Sequence, residues 1–298
     1  SRSTWRMREE GSVMQFADFC RANGLIVDRI IEGRWVRVPT VDHPRKRNGA
    51  YRFMGSVGWV QNHATDTEVS TWRPEGHDDV RVDQKLIDAA ADYERRQRAG
   101  WDAAAKTAAD MLASCKTGEA AYLAYKGLAD VPGLLLDDGA LFVPMRHHAT
   151  NRLQGAQIVR WLPAEMRHEK KMLRGMRAKG AVFRIGNPKA RRTWLVEGYA
   201  TGLSLHAALT LLRLPDAVLV CFSAGNLKYV AGVTQGQRLV FADNDASGTG
   251  ERVARETGLP YCMAPVVGWD ANDMHVKQGV FALADLVRST VAGLQMRC

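Results

Sequence analysis

The stretch RLVFADNDASGTG, residues 238–250, places two carboxylates directly after a short apolar run. Residues 238–242 have the length and composition of a buried strand. Aspartate forms strands poorly, and its carboxylate is costly to bury unless it is paired or bound to a metal ion. Asp243 and Asp245 therefore need a compensating partner, and the neighbouring Gly248 lets a ligand approach the backbone closely.

From Thr193 onward, apolar strands alternate with helices. The predicted strands are TWLVEG (193–198), AVLVCFS (217–223), RLVFADND (238–245) and PYCMAPV (260–266). The predicted helices are TGLSLHAALTLLRL (201–214) with Thr201 as its N-cap, GNLKYVAGV (225–233), SGTGERVARETG (247–258) and VFALADLVRSTVAGLQM (280–296). This alternation predicts an α/β fold with a parallel sheet covered by helices on both faces. Ligands of such sheets bind at the carboxyl ends of the strands.

Five carboxylates follow these strands, and they are Glu197, Asp243, Asp245, Asp270 and Asp273. Because the carboxyl ends of parallel strands meet at one edge, we expect all five at that edge. Asp243 and Asp245 are two residues apart, so their side chains point to the same side of an extended segment and can converge. Clustered carboxylates raise one another's pKa, and a divalent cation with oxygen ligands removes the repulsion. The predicted cofactor is therefore Mg²⁺ or Mn²⁺.

Four segments, in this order, resemble the Toprim domain of topoisomerases and bacterial-type primases. They are VEGYATGLS (196–204), AVLVCFSAGNL (217–227), FADNDASGTG (241–250) and WDANDMH (269–275). The resemblance covers residues 193–275 and implies that Glu197 assists the chemistry near the 3′-hydroxyl or the leaving oxygen. It also implies that Asp243 and Asp245 bind the metal ion, with Asp270 and Asp273 helping to hold a second one.

Each of these roles has a purely structural alternative. Glu197 can be a carboxylate at the start of a helix, and an isolated DxD sequence can serve caps and turns. Asp270 and Asp273 can simply cap the helix that follows them. The sequence alone leaves these alternatives open.

The segment before the Toprim part is strongly basic. Residues 146–192 contain 13 Lys and Arg against 2 Asp and Glu, a balance of +11, whereas the whole chain carries +9. Such a block predicts a polyanionic partner, and the alternative is a solvated charged face. The candidate residues for nucleotide and template binding are Arg146, Lys171 and Arg174, followed by Arg160, Lys170 and Arg177.

Three segments in and before this block resemble primases of the phage and plasmid type. YLAYKGL (122–128) is similar to their YLxxRG signature, LFVPMRHHATNRLQGAQIV (141–159) to the segment that follows, and EKKMLRG (169–175) to a short lysine-containing element. In such primases this subdomain and the Toprim sheet form two walls of a groove. The resemblance therefore implies that one wall binds phosphates and the other holds the metal ions.

The N-terminal part is predicted to be a helix, residues 13–23, followed by a β-meander within residues 30–73. The meander resembles a primase zinc ribbon without its cysteine pairs. No zinc is expected, because zinc-ligand spacing is missing from Cys20, His43, His63 and His77. Core packing or base stacking is expected for Trp35, Trp59 and Trp72. The basic loop 42–49 is a candidate for contact with a phosphate backbone.

The predicted fold class is thus α/β, with a C-terminal Toprim parallel sheet flanked by helices. Residues 193–298 form that Toprim domain. Residues 79–192 are predicted to comprise an Ala-rich helical linker and a mixed α+β basic primase subdomain. Residues 1–78 are predicted to form a small β-rich domain.

Composition narrows the class of protein further. The 298 residues include 46% hydrophobic residues, enough for a sizeable core and about two domains. The five cysteines form no CxxC pair, which argues against a disulfide framework and favours a reducing bacterial cytoplasm. The chain contains no run of 18 apolar residues, so no membrane span is expected. The first residues lack the apolar segment of a secretory signal. The GxxxxGK[ST] motif is absent, so a fused helicase is not expected.

The resemblance implies a DnaG-like primase of the phage or plasmid type. Such a protein binds single-stranded DNA and synthesises short RNA primers from NTPs by two-metal phosphoryl transfer. A replicative helicase acting in trans is an implied partner, and no membrane partner is expected. Two alternatives remain: a Toprim nuclease that acts on DNA or RNA, and a non-catalytic replication module that binds single-stranded DNA.

Overall fold

The computed structural model describes residues 2–63, 69–74 and 84–295, and the chain divides into two compact units, Ser1–Ala99 and Gly100–Cys298. Both helices and mixed sheets are present, so the chain has an α/β fold. Over these described ranges, no helix is both long enough and apolar enough to cross a membrane.

The first unit contains a helix and a four-stranded antiparallel meander. The helix is α1 (Arg2–Ala22), and the strands are β1 (Trp35–Val38), β2 (Gly49–Phe53), β3 (Gly58–Asn62) and β4 (Ser70–Trp72). The strands pair in chain order, β1-β2-β3-β4. The predicted meander is therefore confirmed, and α1 begins earlier than the predicted helix.

Aromatic rings form the core of this unit. The ring centroid of Phe16 lies 4.7 Å from that of Phe53 and 5.5 Å from that of Trp72. A Cβ atom at Gly58 would overlap the Phe16 ring, so only glycine fits this strand position. Trp72 is buried and belongs to the core, whereas Trp35 and Trp59 are half-buried. Of the residues weighed as zinc ligands, His77 lies outside the described residues.

The second unit begins within a long helix and continues into strands. Its first half contains α2 (Gln84–Ser114, which starts in the first unit), β5 (Lys116–Gly118), α3 (Ala121–Tyr125), β6 (Gly133–Leu135), β7 (Leu141–His147), β8 (Leu153–Leu162), β9 (Arg167–Met172) and β10 (Ala181–Ile185). A single 3-10 turn, Pro163–Glu165, connects β8 to β9. This half corresponds to the predicted α+β basic segment.

The second half alternates strands and helices. Its elements are β11 (Arg192–Val196), α4 (Tyr199–Leu211), β12 (Ala217–Val220), α5 (Ala224–Val233), β13 (Gln237–Ala242), α6 (Thr249–Glu256), β14 (Tyr261–Met263), α7 (Ala271–Gln278) and α8 (Val280–Gln295). The neighbours β14, β13, β11 and β12 are mutually parallel, as the sequence predicts.

One ten-stranded sheet joins the two halves. Its order is β14-β13-β11-β12-β10-β7-β6-β5, and β8 extends it from β7 to β9. The parallel part meets the antiparallel part where β10 pairs with β12 through Phe183 and Val220. The predicted boundary after residue 192 therefore falls inside a continuous sheet.

Helices cover both faces of the parallel strands. Successive residues of each strand point to opposite faces, so each strand contributes to the apolar clusters on both sides. Trp194 and Val196 of β11 belong to one apolar cluster, which includes residues of α4, α7 and α8. Leu195 belongs to a second cluster, beneath α5 and α6. All three side chains are 0% exposed, which explains why these strands appear in the sequence as continuous apolar runs.

Several sequence predictions of secondary structure were wrong. The strand β5 (Lys116–Gly118), which pairs with β6 between the helices α2 and α3, was not predicted. The strands β6 and β9 and the short helix α7 were not predicted. Thr201 is not an N-cap: α4 begins after Gly198, and Thr201 lies within the helix.

Candidate active site

A cavity of about 210 Å³ lies at the carboxyl ends of β11 and β13. Three carboxylates line it, those of Glu197, Asp243 and Asp270, and so do the ammonium-bearing side chains of Lys126 and Lys170. The cavity therefore holds opposite charges drawn from both halves of the sheet.

The sheet register explains why these carboxylates meet. Glu197 directly follows the last residue of β11, and Asp243 directly follows the last residue of β13. The two strands are parallel neighbours, with Leu195 opposite Val240, so their carboxyl ends lie side by side. The expected meeting of Glu197, Asp243 and Asp270 at one edge is thus observed.

Asp243 is the least compensated of these carboxylates. Its Oδ1 atom is buried and has no hydrogen-bond partner among the described residues. Burial and the charges of Asp270, Glu197 and Asp245 raise the pKa of Asp243 to about 7, while Lys170 opposes the shift. An aspartate in this state binds either a proton or a cation at neutral pH.

The backbone carbonyl of Glu197 is held by Phe222, a residue with an unusual backbone conformation just after β12. Phe222 has a φ of 65°, in the left-handed region that non-glycine residues rarely adopt. Its N–H donates a 2.9 Å hydrogen bond to the carbonyl oxygen of Glu197. Burial, followed by the charge of Asp245, raises the pKa of the Glu197 carboxyl, and Lys170 lowers it.

Asp245 is close enough for its charge to raise the pKa of Asp243 and of Glu197, while its own carboxylate is bound by the turn that follows it. The strand ends at Ala242, so the two-residue periodicity of a strand does not extend to Asp245. Its Oδ1 accepts hydrogen bonds from the N–H groups of Ser247 and Thr249 and from the Ser247 hydroxyl, and its Oδ2 accepts a 2.7 Å bond from the Gly250 N–H. These bonds, that of the Ser247 hydroxyl first, lower the pKa of Asp245 to about 2.

Asp270 and Asp273 form a capping box at the start of α7. Asp270 Oδ1 accepts a 2.8 Å hydrogen bond from the Asp273 N–H, and Asp273 Oδ2 accepts one of 3.2 Å from the Asp270 N–H. The second oxygen of Asp270 accepts a 2.9 Å bond from Thr201 Oγ1 of α4. Asp270 thus caps the helix and lines the cavity, whereas Asp273 is not among the lining residues.

Lys126 lines the cavity but was not singled out from the sequence. It occupies the basic position of YLAYKGL, the segment that resembles YLxxRG, so the signal was present. Its carbonyl oxygen accepts a 2.9 Å hydrogen bond from Asn272 Nδ2, which also donates to Ser204 Oγ at 3.0 Å. The buried Asn272 therefore fixes the chain segment that carries Lys126.

Of the six basic candidates, Lys170 lines the cavity. Its neighbour Lys171, a preferred candidate, instead forms a 2.9 Å ion pair with Glu169. The remaining candidates lie elsewhere: Arg146 donates to the Asn151 carbonyl, Arg160 pairs with Asp138, Arg177 covers the Trp101 ring, and Arg174 is exposed.

Uncharged polar residues, among them Tyr122 and Gln157, also line the cavity. Tyr122 is 3% exposed, and its hydroxyl is buried without a hydrogen-bond partner in the described part of the chain. The Lys170 Nζ lies 5.1 Å from the Tyr122 ring centroid, a cation–π distance that holds the ammonium at the cavity. Gln157 of β8 also lines the cavity. Both polar side chains are available to a ligand.

Carboxylate oxygens are the ligands that a hard divalent cation prefers, and three carboxylates line this cavity. Over residues 2–63, 69–74 and 84–295, no group of three or more His, Cys, Asp or Glu side chains is arranged so that it could hold a metal ion as it stands. The buried Oδ1 of Asp243 nevertheless lacks a partner, and Glu197 and Asp270 face the same cavity. These three carboxylates are the residues that would hold Mg²⁺ or Mn²⁺.

No protein-family model matches the chain, and the search of curated proteins finds no match. Among solved structures, the chain is similar to the crystal structure of the RNA polymerase domain of Mycobacterium tuberculosis primase DnaG. The sequence identity is 18% and the TM-score 0.36, over 67% of this chain and 76% of that chain. Any function of the cavity is therefore inferred from the residues that line it.

Proposed function

We propose that the chain is a Toprim-type DNA primase that synthesises short RNA primers on single-stranded DNA from NTPs. The observation that carries the proposal is the partnerless, buried carboxylate of Asp243, which shares a cavity with Glu197 and Asp270. The Toprim-like segments place these acidic residues in the order that such an enzyme requires. Lys126 and Lys170 supply the opposite charge in the same cavity.

The lysines give the cavity its affinity for phosphates. A triphosphate next to three carboxylates is repelled unless positive charge is close by. Lys170 is near enough to lower the pKa of both Glu197 and Asp243, so it acts on the same volume as the carboxylates. Lys126 and Lys170 then orient the phosphates of an incoming nucleotide.

Glu197, Asp243 and Asp270 would hold Mg²⁺ or Mn²⁺, which supplies charge neutralisation and an acidified attacking hydroxyl when bound. The primer 3′-oxygen forms a bond to the α-phosphorus of the NTP, and pyrophosphate leaves as the α–β bridge breaks. The hydroxyl proton passes to a carboxylate oxygen of Glu197, the residue that the Toprim resemblance assigns to the chemistry near the 3′-hydroxyl.

The partners follow from this chemistry. The template is single-stranded DNA, the substrates are NTPs, and the compartment is the cytoplasm of a bacterial host. A replicative helicase in trans is part of the proposal, supported by the resemblance to primases. Zinc has no part in it.

The deciding experiment is primer synthesis by the purified chain on single-stranded DNA, with labelled NTPs and Mg²⁺ or Mn²⁺. Asp243→Asn is compared with Asp285→Asn, an exposed aspartate of α8 that pairs with Arg288. Short RNA products that persist in the control and vanish with Asp243→Asn are expected. Template degradation without NTPs would instead indicate a nuclease, and template binding that neither substitution changes, without products, would indicate a binding module.

A further inference from the structure

Four rings cluster beside the cavity, two of them exposed, and we call this cluster the aromatic wall. It comprises Tyr122 and Tyr125 of α3, Trp161 of β8 and His168 of β9. The His168 ring lies at its centre, with ring centroids 4.8 Å from Trp161 and 5.2 Å from each tyrosine. The wall is thus a contiguous ring cluster that presents Tyr125 and Trp161 to solvent.

The register of β8 and β9 connects the wall to the cavity. Trp161 pairs directly with His168 across the two strands, and Gln157 pairs with Met172 in the same register. Since alternate residues share a face, Gln157, Trp161, His168 and Lys170 lie on one side. Gln157 and Lys170 line the cavity, so the wall continues the cavity lining along the strands.

Tyr122 also packs in the core, but core packing does not account for the two exposed rings of the wall. Tyr125 is 70% exposed and Trp161 is 39% exposed, although exposed aromatic rings are costly in water. Both ring nitrogens of His168 are buried and without a hydrogen-bond partner in the described ranges. Burial, with the charges of Lys170 and Lys126, lowers the pKa of His168, so the imidazole is neutral and its face is apolar.

The charges around the wall indicate its occupant. Lys126 and Lys170 are close enough to act on His168, and both line the cavity. Lysines beside exposed rings are the combination that binds single-stranded nucleic acid, because the cations hold the backbone while the rings stack on the bases. A duplex hides its base faces, so it matches this surface poorly.

We propose that the aromatic wall stacks the unpaired bases of a single nucleic-acid strand whose backbone runs past Lys126 and Lys170 into the cavity. The inference rests on the proposed function in taking this strand as the template. Stacking uses the faces of the bases, so affinity depends on the presence of bases and only weakly on their sequence.

The test is fluorescence anisotropy of the full chain with a labelled single strand and with an abasic strand of equal length and charge. The unmodified chain is expected to bind the base-containing strand about tenfold more tightly than the abasic one. Trp161→Ala and Tyr125→Ala should each remove most of this difference and leave abasic binding unchanged. Trp161→Phe keeps a flat ring and should retain it.

Phe281→Ala is the matched control, because Phe281 is 73% exposed on α8 and lies outside the wall. Thermal unfolding establishes that each variant is folded. Equal affinity for the two strands, or a difference that survives both alanine substitutions, would overturn the proposal. A change of oligomeric state in Trp161→Ala, measured by sedimentation without loss of strand affinity, would overturn it in favour of a protein interface.

The binding measurements contain no NTP, so they are independent of catalysis. If the wall variants lose the preference for the base-containing strand while the unmodified chain makes no primers, the primase proposal fails and the wall stands. If primers form but the base-containing and abasic strands bind with equal affinity, the stacking proposal is wrong and the primase proposal is supported.

Discussion

Thr201 Oγ1 of α4 donates a 2.9 Å hydrogen bond to Asp270 Oδ2, the oxygen that does not cap α7. This bond fixes a carboxylate of the cavity from a neighbouring helix. Thr201 is 1% exposed, so the hydroxyl acts within the interior and not through solvent.

Thr201→Val is expected to reduce primer synthesis by about tenfold, because partners that orient metal-binding carboxylates typically contribute that much. The free energy of unfolding should fall by about 1 kcal/mol through loss of a buried hydrogen bond. Thr201→Ser keeps the hydroxyl and should retain most activity. Initial rates and urea denaturation check both effects, and equal rates in the valine and serine variants would contradict the role of the bond.

Asp243 should make the stability of the metal-free chain depend on pH. Its pKa rises from 3.8 to about 7 on folding, so the folded chain binds the proton more tightly. The resulting stabilisation is complete below about pH 4 and is lost as the pH rises to about 7. Asp243→Asn should remove this loss and be more stable than the unmodified chain at pH 8, by about 4 kcal/mol.

The measurement is urea denaturation at pH 5 and pH 8 with a chelator present. Asp285→Asn removes an exposed carboxylate and should leave the pH dependence as it is. Parallel pH profiles for Asp243→Asn and the unmodified chain would show that the Asp243 carboxyl does not titrate in this range.

Divalent cations should stabilise the fold through the same carboxylates. At pH 8, Mg²⁺ at about 100 times its dissociation constant is expected to add about 2.7 kcal/mol to the free energy of unfolding. Asp243→Asn and Glu197→Gln should lose most of this gain. Denaturation with and without Mg²⁺ provides a readout that does not depend on activity, and an undiminished gain in both variants would place the cation elsewhere.

Lys170 and Lys171 are adjacent residues that provide a matched comparison. Lys170 lines the cavity, whereas Lys171 pairs with Glu169. Lys170→Ala should therefore reduce kcat/KM for NTPs by about 100-fold, the loss typical of removing one aimed donor. Lys171→Ala should change it by less than about twofold, since exposed ion pairs contribute little. If steady-state kinetics showed a larger loss for Lys171→Ala than for Lys170→Ala, Lys171 and not Lys170 would be the residue that acts at the cavity.

Gly250 lets α6 pack directly on the backbone of Asp243. A Cβ atom at position 250 would overlap the Asp243 carbonyl oxygen. Gly250→Ala should therefore lower the free energy of unfolding by about 1–3 kcal/mol and displace the Asp243 carboxylate. Gly225→Ala, in a helix where no atom lies within 4 Å of the added Cβ, should instead stabilise the chain by about 0.5–1 kcal/mol. Urea denaturation of the two variants compares them directly.

The acidic half of the site could be predicted because its signal is local. Val196 and Ala242 end apolar runs, and each is followed at once by the acidic residue that lines the cavity. The end of β13 at Ala242 was also predicted correctly. The turn that follows was not, and there the backbone N–H of Gly250 donates a hydrogen bond to the Asp245 carboxylate.

The basic half depends on pairing that the sequence does not display. The strand β9, Arg167–Met172, is too polar to show an alternating apolar pattern. Without it, nothing distinguishes Lys170 from Lys171, and the preferred choice was the lysine that does not line the cavity. The helix α7 was missed because it has only eight residues, although Asp270 and Asp273 stand at the spacing of a capping box.

The antiparallel junction between β10 and β12 limits the sequence changes that this protein can accept during evolution. Three residue pairs, from Phe183–Val220 to Ile185–Val218, set the alignment of the lysine-bearing strands against the carboxylate-bearing ones. A slip of one residue at this seam would turn every side chain of β10 to the opposite face. Insertions are therefore tolerable in the surface loops but not at the seam, and neither half can be exchanged for a homologue unless these three pairs are kept.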